Sequence, residues 1–169
     1  MPAISVATPT VLSAVSRRVG FTPGAHSALI AHVATEPRRE TGGILLGHTS
    51  RDGITTVTKV SPPGPKAVKQ PFFFRRDTRF LQHWLERRYD RSEGRDDYIG
   101  EWHVHHALDA PPSSVDKREL WKIARRPNYP TNRPLLILVE DVPGERRVRA
   151  YEFRVRPRKA FDELPVEAV

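Results

Sequence analysis

The sequence has 169 residues and no cysteine, so it holds no thiolate metal site, cysteine nucleophile or disulfide. Its length corresponds to one domain. Lysine and arginine total 28 against 20 aspartate and glutamate, a formal charge of +8, but the basic residues are scattered in pairs without interleaved aromatic residues, so a nucleic-acid-binding surface is not expected.

The positive charge is consistent with an ordinary solvated surface, and attraction to an acidic protein is the main alternative. No stretch of the sequence is long and apolar enough for a membrane helix. Arg17 and Arg18 follow the mildly apolar N-terminal stretch, whereas a secretory signal carries its charges ahead of the apolar part. These features predict a soluble, cytoplasmic protein.

The predicted elements begin after an N-terminal region, residues 1–20, that is either a flexible arm or an edge strand. Thr22 suits a helix N-cap, and Pro23 suits the first helical position because its missing N–H would have no partner there. Apolar residues recur at helical spacing up to about Thr35. The sequence therefore predicts a first helix over this stretch.

Two strands joined by a tight turn are predicted next. Residues 43–47 form a short apolar run bracketed by glycines, which indicates a buried strand. The dipeptide at residues 52–53 is Asp-Gly, a strong signal for a hairpin turn. Residues 54–60 are rich in β-branched side chains and supply the paired strand, and the proline-rich residues 61–69 predict a loop.

The second half of the chain alternates strands and helices. Apolar stripes at helical spacing predict helices over residues 77–91 and 113–126, and a strand is predicted at 98–105 between them. Two further strands are predicted at 135–140 and 147–154.

This order predicts an α/β or α+β single domain over residues 21–156 with a mixed sheet flanked by helices, followed by a loose tail at 157–169.

The strand at 98–105 ends in a His-x-His pattern. Side chains two apart on a strand share one face, so His103 and His105 lie side by side while Trp102 and Val104 point into packing. Two neutral imidazoles at this spacing make half of a tetrahedral zinc site. Asp116, in the first turn of the next helix, could supply a third ligand and leave a fourth position open for water, as in catalytic zinc sites.

A purely structural interpretation of the same residues stays open. Ser113-x-x-Asp116 also fits a variant capping box, in which both side chains satisfy backbone N–H groups at the helix start. His-x-His occurs often by chance, and neighbouring histidines at a strand end frequently only form hydrogen bonds. On these residues alone, metal binding and helix capping are both possible.

The complete pattern resembles a known family. His-x-His, seven residues, Ser, two residues and Asp is the JAMM motif of the JAB/MPN metalloprotease family, present here as His103, His105, Ser113 and Asp116. The family also has a glutamate just before a glycine-rich strand, which is Glu40 in ETGGILLG. The phrase YIGEWH, ending at His103, resembles the prokaryotic deubiquitinase-like branch in particular.

This resemblance implies a cytidine-deaminase-like fold and a set of residue roles. His103, His105 and Asp116 would ligate one Zn²⁺ per chain. Glu40 would take a proton from the attacking water and pass it to the leaving amine, and Ser113 would hold the oxyanion or position the water. Glu40 alone would be interpreted as a surface residue, and Ser113 alone as a helix cap.

Two residues differ from the usual family pattern. The family usually has proline after the second histidine, where this chain has His106. We expect His106 to point away from the metal and to have a structural role. Val104 stands where relatives often have serine or threonine, and it should simply pack. Neither change touches a proposed ligand or the proposed base, so an active enzyme is expected.

The resemblance also implies a substrate: the bond after the C-terminus of a ubiquitin-like protein, in its conjugates or its precursor. Expected partners are that protein and E1-like and E2-like proteins, in a bacterial ubiquitination-like or antiphage-defence system. Two loops are candidates to form the substrate groove, residues 62–76 and residues 127–133. The first includes Phe72-Phe73-Phe74, which is more simply interpreted as a buried strand.

Three other functions remain open. The first is a catalytically silent scaffold that binds protein partners, which predicts the loss of a ligand or of Glu40, and all are present. The second is a metal-dependent or nucleic-acid-binding protein related to bacterial DNA-repair JAB proteins, which only the formal charge of +8 supports. The third is a peptidase that processes a sulfur-carrier protein, which differs from the leading hypothesis only in its substrate.

Overall fold

The computed structural model describes residues 17–167, and nine strands and three helices lie within that range. In chain order they are β1 (Arg18–Phe21), α1 (Pro23–Ala34), β2 (Gly42–Thr49), β3 (Ile54–Val60), β4 (Val68–Gln70), β5 (Phe73–Arg75), α2 (Thr78–Arg91), β6 (Asp97–His105), α3 (Ser114–Arg125), β7 (Leu135–Val142), β8 (Glu145–Arg154) and β9 (Ala160–Leu164).

Seven of these strands form one mixed sheet in the order β1-β3-β2-β6-β7-β8-β9. The pairs β1–β3 and β6–β7 are parallel, and the other neighbours are antiparallel. Strands β4 and β5 form a separate antiparallel hairpin. The predicted fold class, a single α+β domain with a mixed sheet flanked by helices, is confirmed.

The sheet is covered on both faces. On one face, α1 packs through Ala25, Leu29 and Val33. On the other face, α2 packs through Leu81 and α3 through Leu120 and Ile123, within a second apolar cluster. Because both faces are covered, β7 can be apolar along its whole first half, and its residues from 135 to 139 are all buried.

Glycine permits two close backbone approaches in the central strands. A Cβ at Gly100 would lie 2.1 Å from the carbonyl oxygen of Leu135 on the neighbouring strand. A Cβ at Gly42 would lie 2.4 Å from the carbonyl oxygen of Trp102 and 2.7 Å from the ring of His103. The glycine before the buried apolar run is therefore required by the packing of β2 on β6.

The two ends of the chain differ from the sequence expectation. Residues 18–21 form an edge strand, and residues 1–16 of the predicted arm lie outside the described residues. The prediction of a loose C-terminal tail is wrong for Ala160–Leu164, which pair with β8. Val166 then bridges to Val19. The aromatic ring of Phe161 packs at the edge of the apolar cluster under α2 and α3, and this contact holds the segment on the sheet.

The phenylalanine triplet also differs from the expectation of a buried strand. Phe73 and Phe74 do belong to β5, but Phe72 is 92% exposed and Phe73 is 47% exposed. Only Phe74 turns inward, with its ring 5.7 Å from that of His103 in an edge-on contact. A two-stranded hairpin has one face to bury at most, so the remaining aromatic side chains stay in solvent.

In the part of the chain that the structure covers, residues 17–167, no helix combines the length and apolarity needed to cross a membrane.

Candidate functional site

Strand β6 presents the two candidate ligand histidines on one face. His103 and His105 are partly buried, with side chains 18% and 13% exposed. Trp102 and Val104 point the other way and are fully buried in the core. The alternation predicted from the sequence is confirmed, and it follows from the pleat of a strand that is covered on both sides.

Asp116 closes over these histidines from the first turn of α3. Its Oδ1 lies 2.6 Å from Nδ1 of His103, and its Oδ2 lies 3.5 Å from Nε2 of His105. The carboxylate is buried, with a side chain 5% exposed. The structure therefore brings together the three side chains that the motif names as metal ligands.

The same aspartate is also part of a helix cap. Ser113 is the N-cap of α3, and its hydroxyl oxygen accepts a hydrogen bond from the Asp116 N–H at 3.1 Å. In return, Oδ2 of Asp116 accepts a hydrogen bond from the Ser113 N–H at 2.8 Å. The capping box predicted from the sequence is present, and it coexists with the histidine contacts, so the two interpretations are not exclusive.

These contacts set the charge state of Asp116. Burial opposes its ionisation, but hydrogen bonds to His103, His105 and Ser113 outweigh burial and hold the pKa of Asp116 well below its ordinary value. The carboxylate is therefore ionised at neutral pH. An ionised carboxylate is the form that binds a metal cation.

Glu40 reaches the same place from the start of β2. The antiparallel pairing places Gly42 opposite His103, and the Thr41 carbonyl accepts a hydrogen bond from the Val104 N–H at 2.9 Å. One more step along the strands sets Glu40 beside His105. Burial raises the pKa of Glu40, the neighbouring Asp116 raises it further, and the nearby histidines lower it in part.

Glu101 belongs to this site as well, and the sequence analysis missed it. Its carboxylate is almost completely buried, forms an ion pair with Arg76, and has Oε2 3.6 Å from Nε2 of His103. The Tyr98 hydroxyl donates a second, longer hydrogen bond to it at 3.4 Å. The signal was available, since Glu101, His103 and His105 follow the period of two that puts strand residues on one face.

His106 follows the strand and lies near Glu40 without joining the candidate ligands. Its Nδ1 is 3.1 Å from the carbonyl oxygen of Asp141, and its Nε2 is 3.0 Å from the carbonyl oxygen of Arg39. It thus connects the end of β7 to the residue before Glu40. The expected structural role agrees with these contacts.

The two predicted groove loops differ in their position relative to the candidate site. Hairpin β4–β5, within residues 62–76, borders the site, since the Glu40 N–H donates to the Gln70 carbonyl at 2.9 Å. The second loop, residues 127–133, leads into Leu135, which pairs with Gly100 at the end of β6 away from His105. Tyr129 of this loop and Arg76 at the end of the first loop line one cavity, so a contribution of the second loop to the groove stays a prediction.

The donor set fits a divalent metal in chemical type. Two imidazoles and one ionised carboxylate are a known zinc ligand combination, and Asp116 already contacts both rings. Within residues 17–167, however, no group of three His, Cys, Asp or Glu side chains has its donor atoms arranged to hold a metal ion. The donor atoms are instead paired with one another, as expected for acidic and basic groups brought close in a partly buried pocket.

Comparison with known proteins decides the family. A family model described as prokaryotic homologs of the JAB domain matches residues 22–153. The chain belongs to this family. The resemblance inferred from the JAMM-type spacing is therefore confirmed, and the matched range includes every candidate residue of the site.

Two curated relatives of this JAB domain have informative names. The probable metalloprotease y4qB of Sinorhizobium fredii is 36% identical over 59% of the chain and 62% of its own length. The CD-NTase/cGAS isopeptidase of Enterobacter hormaechei subsp. hoffmannii is 31% identical over 62% of the chain and 57% of its own length. The match thus spans about three-fifths of each relative.

The fold of the JAB domain also resembles a solved structure. The solution structure of protein DSY2949 from Desulfitobacterium hafniense superposes with a TM-score of 0.64 and covers 88% of this chain and 91% of that protein. The two sequences are 20% identical. This likeness supports the fold alone.

Proposed function

We propose that this JAB domain is a zinc-dependent isopeptidase or peptidase that cleaves after the C-terminus of a ubiquitin-like protein. The convergence of His103, His105 and Asp116, with Glu40 set beside them by the pairing of β2 and β6, is the observation that supports it most directly. These residues come from three separate segments. Packing alone does not require four ionisable groups to meet in one partly buried pocket.

His103, His105 and Asp116 would hold Zn²⁺ through two nitrogens and a carboxylate oxygen. When bound, zinc would supply Lewis acidity that polarises the scissile carbonyl. Glu40 accepts a proton from the attacking water and delivers it to the leaving amine nitrogen. The Ser113 oxygen accepts a backbone N–H, so its own O–H remains able to donate to the carbonyl oxygen as that oxygen gains negative charge.

A cavity beside the site supports a protein tail as the substrate. It has a volume of about 590 Å³ and is lined by Arg38, Phe72, His106, Asp141 and Arg146, among others. Arg38 and His106 connect it directly to the Glu40 segment, and Phe72 stands almost fully exposed at its rim. The exposed aromatic ring and the two arginines of this cavity offer both apolar and polar contacts to a peptide.

The relatives support a hydrolase of this class. One is named a probable metalloprotease and the other an isopeptidase, so peptide and isopeptide bonds are the first substrates to consider. The name of the second relative is consistent with a substrate joined through an isopeptide bond. From the family resemblance alone, we propose a bacterial ubiquitination-like or antiphage-defence system as the setting. In that setting the partners would be a ubiquitin-like protein, E1-like and E2-like proteins, and the conjugate, in the cytoplasm.

The first experiment is the metal content of the purified chain by mass spectrometry. We expect about one zinc per chain in the wild type and none in the His103→Ala/His105→Ala variant. The matched control is His48→Ala/His83→Ala, which removes two exposed histidines away from the site and should keep the metal. Wild-type protein without zinc after reconstitution would overturn the metalloprotease proposal and favour a binding scaffold.

The second experiment identifies the substrate. The wild type is incubated with a ubiquitin-like protein fused through its C-terminus either to a peptide or to a lysine side chain. Cleavage of both fusions indicates deconjugation together with processing, and cleavage of the peptide fusion alone indicates processing. Cleavage only of a sulfur-carrier precursor would instead identify the chain as a peptidase that processes a sulfur-carrier protein.

A further inference from the structure

A second cavity lies at the end of α3 remote from the candidate site. Ser113 and Asp116 are in the first turn of α3, while this cavity adjoins its last residues, Ala124 and Arg125. At 1.5 Å per residue along this helix, the two places are about 12–18 Å apart. The cavity has a volume of about 410 Å³, within the range of small-ligand sites.

Five arginines from three segments line this cavity. They are Arg125 and Arg126 at the end of α3, Arg133 in the following loop, and Arg154 and Arg156 at the end of β8. The other lining residues include Tyr129, Thr131 and Asn132, and none is acidic. We refer to these five residues as the arginine cluster.

Internal ion pairs compensate only two members of the arginine cluster. Arg133 pairs with Glu152 at 3.1 Å, and Arg154 pairs with Asp162 at 3.0 Å. Arg125, Arg126 and Arg156 form no ion pair with any residue in the range 17–167.

Stabilisation of the helix end explains only part of the positive charge in the arginine cluster. Cations at a helix C-terminus are favourable, which explains Arg125 and Arg126. The other three arginines come from a loop and a strand end, where like charges brought close repel one another. In addition, Nε of Arg154 is buried without a hydrogen-bond partner among the described residues. A buried donor of this kind normally has a partner.

We propose that the arginine cluster binds a small, phosphate-rich anion. Each guanidinium presents a planar fork of donors that matches two phosphate oxygens. Three uncompensated positive charges match a ligand with several negative charges better than single carboxylates. Thr131 and Asn132 can donate further hydrogen bonds, and Tyr129 adds an aromatic wall. Nucleoside polyphosphates and inorganic polyphosphate share this chemistry.

This site is independent of the proposed zinc chemistry, so binding is measured on the full chain without any substrate. Isothermal titration calorimetry with inorganic tripolyphosphate should give about one site per chain, weakened by added salt. A second titration with ATP distinguishes a nucleoside polyphosphate from inorganic polyphosphate as the ligand. Tighter binding of ATP than of tripolyphosphate indicates that a base contacts Tyr129, and equal binding indicates that phosphate alone is recognised.

Variants test the residues. Arg126→Gln/Arg156→Gln should weaken binding about a hundredfold, roughly tenfold for each lost charged hydrogen bond. The affinity of the charge-retaining variant Arg126→Lys/Arg156→Lys should lie between those of the wild type and the glutamine variant, because lysine keeps the charge but lacks the planar fork of donors. The matched control is Arg51→Gln/Arg91→Gln, two exposed arginines outside the cavity, with the same loss of charge and unchanged affinity. Thermal unfolding verifies that each variant is folded.

Three outcomes would overturn this proposal. The first is the absence of heat with either probe at millimolar concentration. The second is an equal loss of affinity in the cluster variant and in the matched control, which would show only general attraction to positive charge. The third is binding of an acidic peptide or an RNA oligonucleotide that tripolyphosphate does not displace, which would make the cluster an interface for a macromolecule.

Discussion

Asp116 and Ser113 cap each other's backbone at the start of α3, while the same Asp116 carboxylate contacts both candidate ligand histidines. One side chain therefore fixes where the helix begins and where the polar pocket closes. This double use explains the fixed spacing between serine and aspartate in the motif. The capping box joins two residues that are three positions apart, and the cap then sets the position of the carboxylate over β6.

The two roles of this pair are separable. Ser113→Ala removes the cap acceptor and should lower the free energy of unfolding by about 1 kcal/mol without loss of metal. Asp116→Asn keeps a cap acceptor but loses the charge, so it should lose most of the metal at a smaller cost in stability. Urea unfolding and metal analysis on both variants measure this. Loss of metal in Ser113→Ala alone would contradict the separation.

Glu40→Gln should abolish most of the activity and leave the fold intact. The amide cannot accept the proton, and general-base catalysis contributes about 10²–10⁴-fold. We expect kcat to fall by at least 10²-fold with zinc content unchanged, measured on a ubiquitin-like fusion. Glu86→Gln, on the exposed side of α2, is the matched control. Full activity in Glu40→Gln would remove this residue from the mechanism.

Glu101 should position His103 without contacting the substrate. Its carboxylate lies 3.6 Å from the ring and is held by Arg76. Partners of this type usually change metal affinity by about 10–100-fold. We expect Glu101→Gln to lose its zinc at a chelator concentration about 10–100-fold lower than wild type does. Glu101→Asp should restore part of the zinc affinity. Equal zinc retention in wild type and Glu101→Gln would exclude a positioning role.

Gly100 and Gly24 should respond oppositely to alanine. A Cβ at Gly100 would lie 2.1 Å from a backbone oxygen of Leu135, so Gly100→Ala should lower the free energy of unfolding by about 2–3 kcal/mol. A Cβ at Gly24 has no neighbour within 4 Å, and alanine favours the helix, so Gly24→Ala should raise it by about 0.5 kcal/mol. Denaturant unfolding with a constant m-value measures both.

Glu152 should make stability depend on pH. Burial raises the pKa of Glu152, although Arg17 and Arg133 lower it in part. The folded chain then holds this proton more tightly than the unfolded chain. The resulting stability is complete below the unfolded pKa, near 4.3, and is lost as pH rises through the folded pKa. The difference in unfolding free energy between wild type and Glu152→Gln should therefore decline over this window, and a difference that grows with pH would contradict it.

Local patterns determined much of this fold. The stripes at helical spacing placed the helices over residues 77–91 and 113–126, close to the observed Thr78–Arg91 and Ser114–Arg125. The alternation around His103 and His105 placed both rings on one face. These features depend on residues a few positions apart, whose geometry is fixed by the helix and strand periods. The motif spacing then indicated the family.

Tertiary structure decided the features that depend on distant segments. Neither the pairing of Ala160–Leu164 with β8 nor the burial of Glu101 against Arg76 can be read from local periodicity. The parallel order of β6 and β7 placed the end of the loop at residues 127–133 next to Gly100, away from His105. The packing of α3 beside the end of β8 gathered five arginines at the C-terminal end of α3. Sequence sets the direction of each side chain along its own element, but only the packing of the whole sheet determines which elements become neighbours.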